Sequence, residues 1–200
     1  LLADGIEDYV LIDETAFDDA AGNSYAGISD ATTLSFTTVD TTNPTLSSST
    51  PADNATSVAI DSDIVLTFAE AVDVESGNIG LFKTSGDELV ESIDVTNGAL
   101  VTGTGTTEIT INPTDDLLAD GTEYYVLIDE TAFDDASGNS YAGISDATTL
   151  SFTAVDTTNP TLSSSTPADN ATAVAVDSNI ILTFAEEVEV ETGNIGLFKT

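Results

Sequence analysis

Hydrophobic residues in this chain come in short runs, separated by clusters of Gly, Pro, Asn, Asp, Ser and Thr. Such punctuation belongs to strands and tight turns. From Asp40 onward the pattern predicts strands at residues 45–49, 58–60, 64–68, 79–82, 89–95, 108–111, 124–128 and 149–155. Pro51-Ala52-Asp53-Asn54, Asn97-Gly98, Gly103-Thr104-Gly105 and Asn112-Pro113 are the turns between them, and residues 70–78 read as a loop. Residues 108–111 alternate strictly, and Leu150, Phe152 and Ala154 fall on one face of the last strand. Helical periodicity is not sustained anywhere; one turn over residues 115–119 is the only candidate. Seven or so short strands, with turns about every 8–12 residues, predict an all-β antiparallel sandwich. The expected core is Phe68, Leu81, Ile109, Tyr125, Leu127 and Phe152.

The pattern then repeats. Val39-Asp40-Thr41-Thr42-Asn43-Pro44-Thr45-Leu46 returns letter for letter as Val155-Asp156-Thr157-Thr158-Asn159-Pro160-Thr161-Leu162. Residues 1–84 overlay residues 117–200 with 11 mismatches. A period of 116 residues is too long for a solenoid and matches one globular domain per repeat. The octapeptide is the seam: its proline removes a ladder donor and forces the preceding residue to be extended. The expected domains are the C-terminal part of one repeat (residues 1–39), a complete repeat (40–155) and the N-terminal part of the next (156–200). The chain therefore reads as a segment of something longer, in which only the middle unit can bury a complete core.

Charge narrows the function. Thirty-six acidic residues stand against two lysines, Lys83 and Lys199, for a formal net charge of −34. Nucleic acid and anionic membrane surfaces are excluded as partners by that field. A hydrophobic content of 40% is too high for an acidic disordered tail. A folded chain so charged repels itself unless cations screen or bind it, so divalent ions or high salt are the expected remedies. Cysteine and histidine are both absent. Disulfides, thiolate metal sites and histidine acid–base chemistry are thereby excluded. No apolar run reaches the roughly 20 residues of a membrane-spanning helix.

Six motifs stand in a fixed order: Asp-Thr-Thr-x-Pro, Thr50-Pro51-Ala52-Asp53-Asn54-Ala55, Leu66-Thr67-Phe68-Ala69-Glu70-Ala71-Val72, Leu118-Ala119-Asp120-Gly121-Thr122-x-Tyr124, Asp135-Ala136-Ser137-Gly138-Asn139 and Leu150-Ser151-Phe152-Thr153. In this the chain resembles the bacterial immunoglobulin-like repeats of large surface proteins, in particular those first described in S-layer proteins. Similar modules are strung together in giant RTX-type adhesins. The resemblance spans the whole unit. It implies tandem immunoglobulin-like sandwiches with an extracellular structural or adhesive role, often with calcium at domain junctions, and it does not imply catalysis.

In an immunoglobulin-like sandwich the first strand starts at the end that carries the B–C and F–G loops. That arrangement puts Asp40 and Asn43 beside Glu70, Asp73 and Glu75 of one loop and Asp134, Asp135 and Asn139 of the other. Calcium takes six to eight oxygens from carboxylates, amides and carbonyls, and acids from three segments meet that need. Gly138 permits the tight turn that aims the second loop. By resemblance, Asp40, Glu70 and Asp135 are the foremost candidate ligands. The constellation is expected to start again at Asp156, Asn159 and Glu186, and to end a preceding one at Asp19 and Asn23. The bland alternative is that these acids form a solvated face of a very acidic protein. Neither the EF-hand pattern nor a nonapeptide glycine repeat is present, so any calcium site must be assembled by the fold.

Other features lead away from chemistry. Asp134-Asp135 is not a glycosidase pair, since such carboxylates oppose each other across a cleft about 5–10 Å wide. Gly103-Thr104-Gly105 lacks the lysine and helix of a phosphate loop. Asn54-Ala55-Thr56 and Asn170-Ala171-Thr172 fit the N-glycosylation pattern, which is common. The expected function is a non-catalytic extender repeat of a large cell-surface protein, stiffened by calcium, whose partners are neighbouring repeats of the same chain. The alternative is a self-assembling filament or surface-layer subunit of a salt-adapted organism, with identical chains as partners in a fibre or coat.

Overall fold

The computed structural model describes residues 2–114 and 117–199. Within them the chain is all-β, and no helix is long and apolar enough to cross a membrane. The helical turn expected over residues 115–119 falls partly on Asp115 and Asp116, outside the described residues. Fourteen strands run in order: β1 (Glu7–Tyr9), β2 (Ser35–Thr37), β3 (Leu46–Thr50), β4 (Ala55–Val58), β5 (Ile64–Val74), β6 (Asn78–Lys83), β7 (Glu88–Asp94), β8 (Val101–Thr102), β9 (Thr106–Ile111), β10 (Glu123–Ile128), β11 (Phe133–Asp134), β12 (Ser151–Ala154), β13 (Leu162–Thr166) and β14 (Ile181–Phe184). They form two compact units, Leu1–Asp156 and Thr157–Thr200.

In the first unit, β3 to β12 build an immunoglobulin-like sandwich. One sheet has the order β4-β12-β10-β6-β7; the other is β11-β5-β9-β8, with β3 also on β5. All pairings are antiparallel except β12 with β4. Ile64, Leu66 and Phe68 from β5 meet Ile109 and Ile111 from β9, and Tyr124, Val126 and Ile128 from β10 face them from the other sheet. Phe68 packs edge-on against Phe133 and Tyr141, with ring centroids 5.5 and 5.2 Å away. Edge-to-face geometry sets the positive ring edge against the negative face.

Three expectations are corrected. Tyr124, Val126 and Ile128 line the core, whereas Leu127 is only half-buried. Tyr125 is covered on the outer face, where it stacks on Phe82 (5.1 Å between centroids) and donates its hydroxyl to Asp87. Side chains alternate across a strand, and a run that is apolar at every position does not declare which parity faces in. The expected loop at residues 70–78 is largely strand, because β5 continues to Val74 and gains β11 as a partner. The strand expected at 58–60 lies instead at Ala55–Val58, while β8 and β11 were too short to be seen in the pattern.

Residues 1–39 carry the counterparts of β10 and β12 as β1 and β2, in the same register. Asp8 stands where the complete sandwich has Tyr124, and its Oδ2 is buried with no hydrogen-bond partner among the described residues. In the second unit β13 and β14 pair as β3 and β5 do, including the register shift near the start of the first strand.

Candidate metal centre at the seam

The site grows out of one edge of β5. Strand β3 pairs with β5 from Val65 to Phe68, and β11 pairs with it at Asp73 and Val74. Between them one further bond, from Ala69 N–H to the Thr45 carbonyl at 2.9 Å, extends the β3 side, and the register with β9 shifts between Thr67 and Val72. Such irregularities bend a strand and re-aim a side chain. Glu70 lies in this gap, on the alternation that buries Leu66, Phe68 and Val72. The chain enters β3 past Asp40 and leaves β11 at Asp135, so both segments flank the gap. Oxygens from the carboxylates of Asp40, Glu70 and Asp135 all lie within 4.8 Å of one another.

Each acid is held differently. Asp135 is 5% exposed and caps its own loop. Its Oδ1 accepts from the backbone N–H groups of Ser137 and Asn139, both at 2.8 Å, and its Oδ2 accepts from the Asn139 side-chain amide at 2.8 Å. Gly138 takes φ +84° to close that loop, a conformation costly for other residues. Burial alone would raise the Asp135 pKa, but the hydrogen bonds from Asn139, Ser137 and Gly138 outweigh it and hold the pKa below the usual carboxylate range. The Asn139 amide also donates to the backbone carbonyl of Asp40 at 3.2 Å, tying this loop to the seam. Asp40 Oδ1 accepts from Thr42 N–H at 3.1 Å. The Glu70 carboxylate has no hydrogen bond or ion pair among the described residues; burial, then the charges of Asp135 and Asp40, raise its pKa.

The other candidate residues stand around this group. Asp73 and Asp134 are cross-strand partners and lie outside the three-acid cluster. Alternation turns Asp134 away from its neighbour Asp135, and Asp73 Oδ1 accepts instead from the Thr104 hydroxyl at 3.2 Å. Asn43 lines a shallow depression with Glu130, Ser140 and Tyr141. Asp19 and Asn23 repeat the Asp135–Asn139 loop, with Asn23 N–H and side-chain amide both 2.8 Å from Asp19. Asp156 packs against Gly121 as Asp40 packs against Gly5. Glu186 and Asn159 belong to the second unit.

One residue at the seam was missed from sequence. Asp4 Oδ2 accepts from Thr41 N–H at 2.9 Å and from the Thr42 hydroxyl at 2.8 Å. The recurrence of Leu-Ala-Asp-Gly at residues 2–5 and 118–121 was the signal that could have drawn attention to it.

The donor set suits a hard cation. Three carboxylates and no nitrogen or sulfur ligand select calcium-like over transition-metal chemistry. Two oxygens across a calcium ion stand about 4.6–5.2 Å apart, so the spacing of the three acids is compatible with a shared ion. The one ion pair among the described residues, Lys83–Glu88, joins β6 to β7 and leaves these charges uncompensated.

The sequence model of the bacterial Ig-like domain family matches residues 40–154 and 156–199. The chain belongs to that family. Bacterial Ig-like domains of this kind occur in surface proteins and are typically non-catalytic. No curated protein matches the chain. Among solved structures, the crystal structure of CopC from Methylosinus trichosporium OB3b is similar at 18% identity and a TM-score of 0.40, covering 58% of this chain and 97% of that one. A likeness of that degree carries no argument about function.

Proposed function

We propose that this chain is a non-catalytic extender segment of a large extracellular surface protein, built from tandem bacterial Ig-like repeats whose seams bind calcium. The observation that carries this reading is the meeting of Asp40, Glu70 and Asp135 at the seam. Asp40 belongs to the linker, whereas Glu70 and Asp135 belong to the sandwich that follows it. A cation held by all three would fix the linker to the sandwich. Calcium supplies the positive charge that the cluster lacks. Asp135, pre-set by Asn139, is the anchor; Glu70 is the acid whose charge is least tolerated without an ion. Asn139 holds Asp135 in place, whereas Asp73 and Asp134 lie outside the cluster and Asn43 lines a separate depression. Asp19 and Asn23, which repeat the Asp135–Asn139 loop, would serve the preceding seam.

The test is thermal unfolding of the whole chain, metal-free, with micromolar to millimolar calcium, or with sodium at matched ionic strength. Specific sites add RT ln(1 + [Ca]/Kd), about 2.7 kcal/mol at a hundredfold excess over Kd. Calcium is expected to raise the midpoint at concentrations where sodium does nothing. Spin labels on residues 1–39 and 40–155 should show a distance distribution that narrows with calcium. Equal effects of the two salts would overturn the calcium site and favour a salt-adapted coat or filament, which chain association on a sizing column would then reveal.

A further inference from the structure

We infer that Asp4 is a positioning residue for the seam: it clamps the linker from the upstream side so that Asp40 is presented to Glu70 and Asp135. The inference rests on the calcium reading above for its consequence, and on the hydrogen bonds alone for its existence. Asp4 lies in the turn before β1, which belongs to the preceding repeat, while Thr41 and Thr42 belong to the linker. Its carboxylate takes three donors from that linker. Thr41 N–H is 2.9 Å from Oδ2, the Thr42 hydroxyl is 2.8 Å from Oδ2, and the Thr41 hydroxyl lies 3.2 Å from Oδ1. Hydrogen bonds to an ionised acceptor are about twice as strong as neutral ones.

The turn that carries Asp4 is itself braced. Gly5 N–H donates to the Val39 carbonyl at 3.1 Å, and the Thr38 hydroxyl donates to the Ala3 carbonyl at 2.6 Å while accepting from Ile6 N–H at 3.0 Å. Gly5 has φ +62°, and a Cβ there would stand 3.2 Å from the Asp40 Cβ. The glycine thus supplies both the turn and the space that Asp40 occupies. The linker is gripped on one side by Asp4 and on the other by the Asn139 amide on the Asp40 carbonyl. Asp40 sits between the two grips, so its orientation depends on both. The upstream grip is made of hydrogen bonds and brings the Asp4 carboxylate beside that of Asp40, whereas the downstream side is closed by the ion.

Two variants of the full chain separate positioning from charge. Thr41→Val/Thr42→Val removes both hydroxyl donors and leaves every charge in place; Asp4→Asn removes the charge and keeps an acceptor. Terbium luminescence sensitised by tyrosine reads the site, with calcium as competitor. Loss of a group that orients a metal ligand typically weakens binding about 10–100-fold, so the double valine variant is expected to bind terbium at least about tenfold more weakly. Its metal-free unfolding should stay cooperative, with a midpoint lowered only by the loss of the two hydroxyl bonds. Amide exchange at Thr41, metal-free, should be faster in Asp4→Ala than in the parent. Unchanged terbium affinity in the double valine variant, with a loss only in Asp4→Asn, would show Asp4 acting as a charge and overturn the proposal. Should the parent chain bind no terbium, the calcium reading fails by itself. The clamp is then judged on Thr41 exchange alone: unaltered protection in Asp4→Ala overturns it, and lost protection upholds it.

Discussion

Glu70 and Asp135 stand in one cluster, yet their environments push them in opposite directions. Burial and the neighbouring charges of Asp135 and Asp40 raise the Glu70 pKa, so its charged form is less favourable in the folded chain than in the unfolded one. An acid of this kind costs stability above its folded pKa, and the cost fades as pH falls towards the ordinary glutamate range. Metal-free Glu70→Gln is therefore expected to unfold above the parent at pH 7. The gain should vanish near pH 4 and reverse in saturating calcium, where the variant loses a ligand. Thermal scans at two pH values, each with and without calcium, check both signs; a lower metal-free midpoint at pH 7 would contradict the argument. Asp135 behaves conversely. Its depressed pKa gives stability above the unfolded value that is lost as pH falls through the folded one. The Asp135 loop was legible in sequence because Asp-x-x-Gly-Asn carries its own turn chemistry, with the carboxylate, the glycine and the amide within five residues. Asp4 was not, because its partners Thr41 and Thr42 lie across a turn of the fold rather than next to it in the chain.

Strands were legible where alternation or turn residues bounded them, and illegible where neither did. Strand β9 alternates and ends at Asn112-Pro113, and was read correctly. Strand β10 is Glu-Tyr-Tyr-Val-Leu-Ile; both parities are apolar, and only packing against β5 and β9 selects Tyr124, Val126 and Ile128 for the core. Val126→Asp is accordingly expected to abolish cooperative unfolding, since it buries an unpaired charge at a fully enclosed position. Leu127→Asp, at a half-buried position, should leave the sandwich folded with a loss of about 1–2 kcal/mol. Urea denaturation distinguishes them, and equal damage from both would contradict the assignment of faces. Strand β5 was read as ending at Phe68, because Ala-Glu-Ala-Val-Asp-Val looks like a polar loop. In the fold it continues, since β11 arrives to pair with Asp73 and Val74. The irregular stretch that remains between β3 and β11 is what makes room for the acid cluster.

At the scale of the molecule the dominant quantity is a net charge of −34. Exposed like charges repel over about a Debye length, roughly 10 Å at 0.1 M salt. Sodium chloride raised from about 0.01 to 0.5 M should therefore lift the midpoint gradually in the parent and in Glu70→Gln alike. Calcium should act in a saturable step that Glu70→Gln diminishes. A midpoint indifferent to sodium would mean that the surface charges are already compensated. What the sequence by itself determined is of two kinds. Hydrophobic spacing and turn chemistry determined an all-β antiparallel sandwich, and composition determined an acidic, cysteine-free and histidine-free chain. Both are properties that accumulate residue by residue along the backbone. Tertiary structure alone decided which parity of β10 faces inward, that β5 runs on past Phe68, and that Asp40, Glu70 and Asp135 share one gap at its edge. Those outcomes depend on pairings between strands far apart in the chain, where a shift of one residue would turn every side chain to the opposite face.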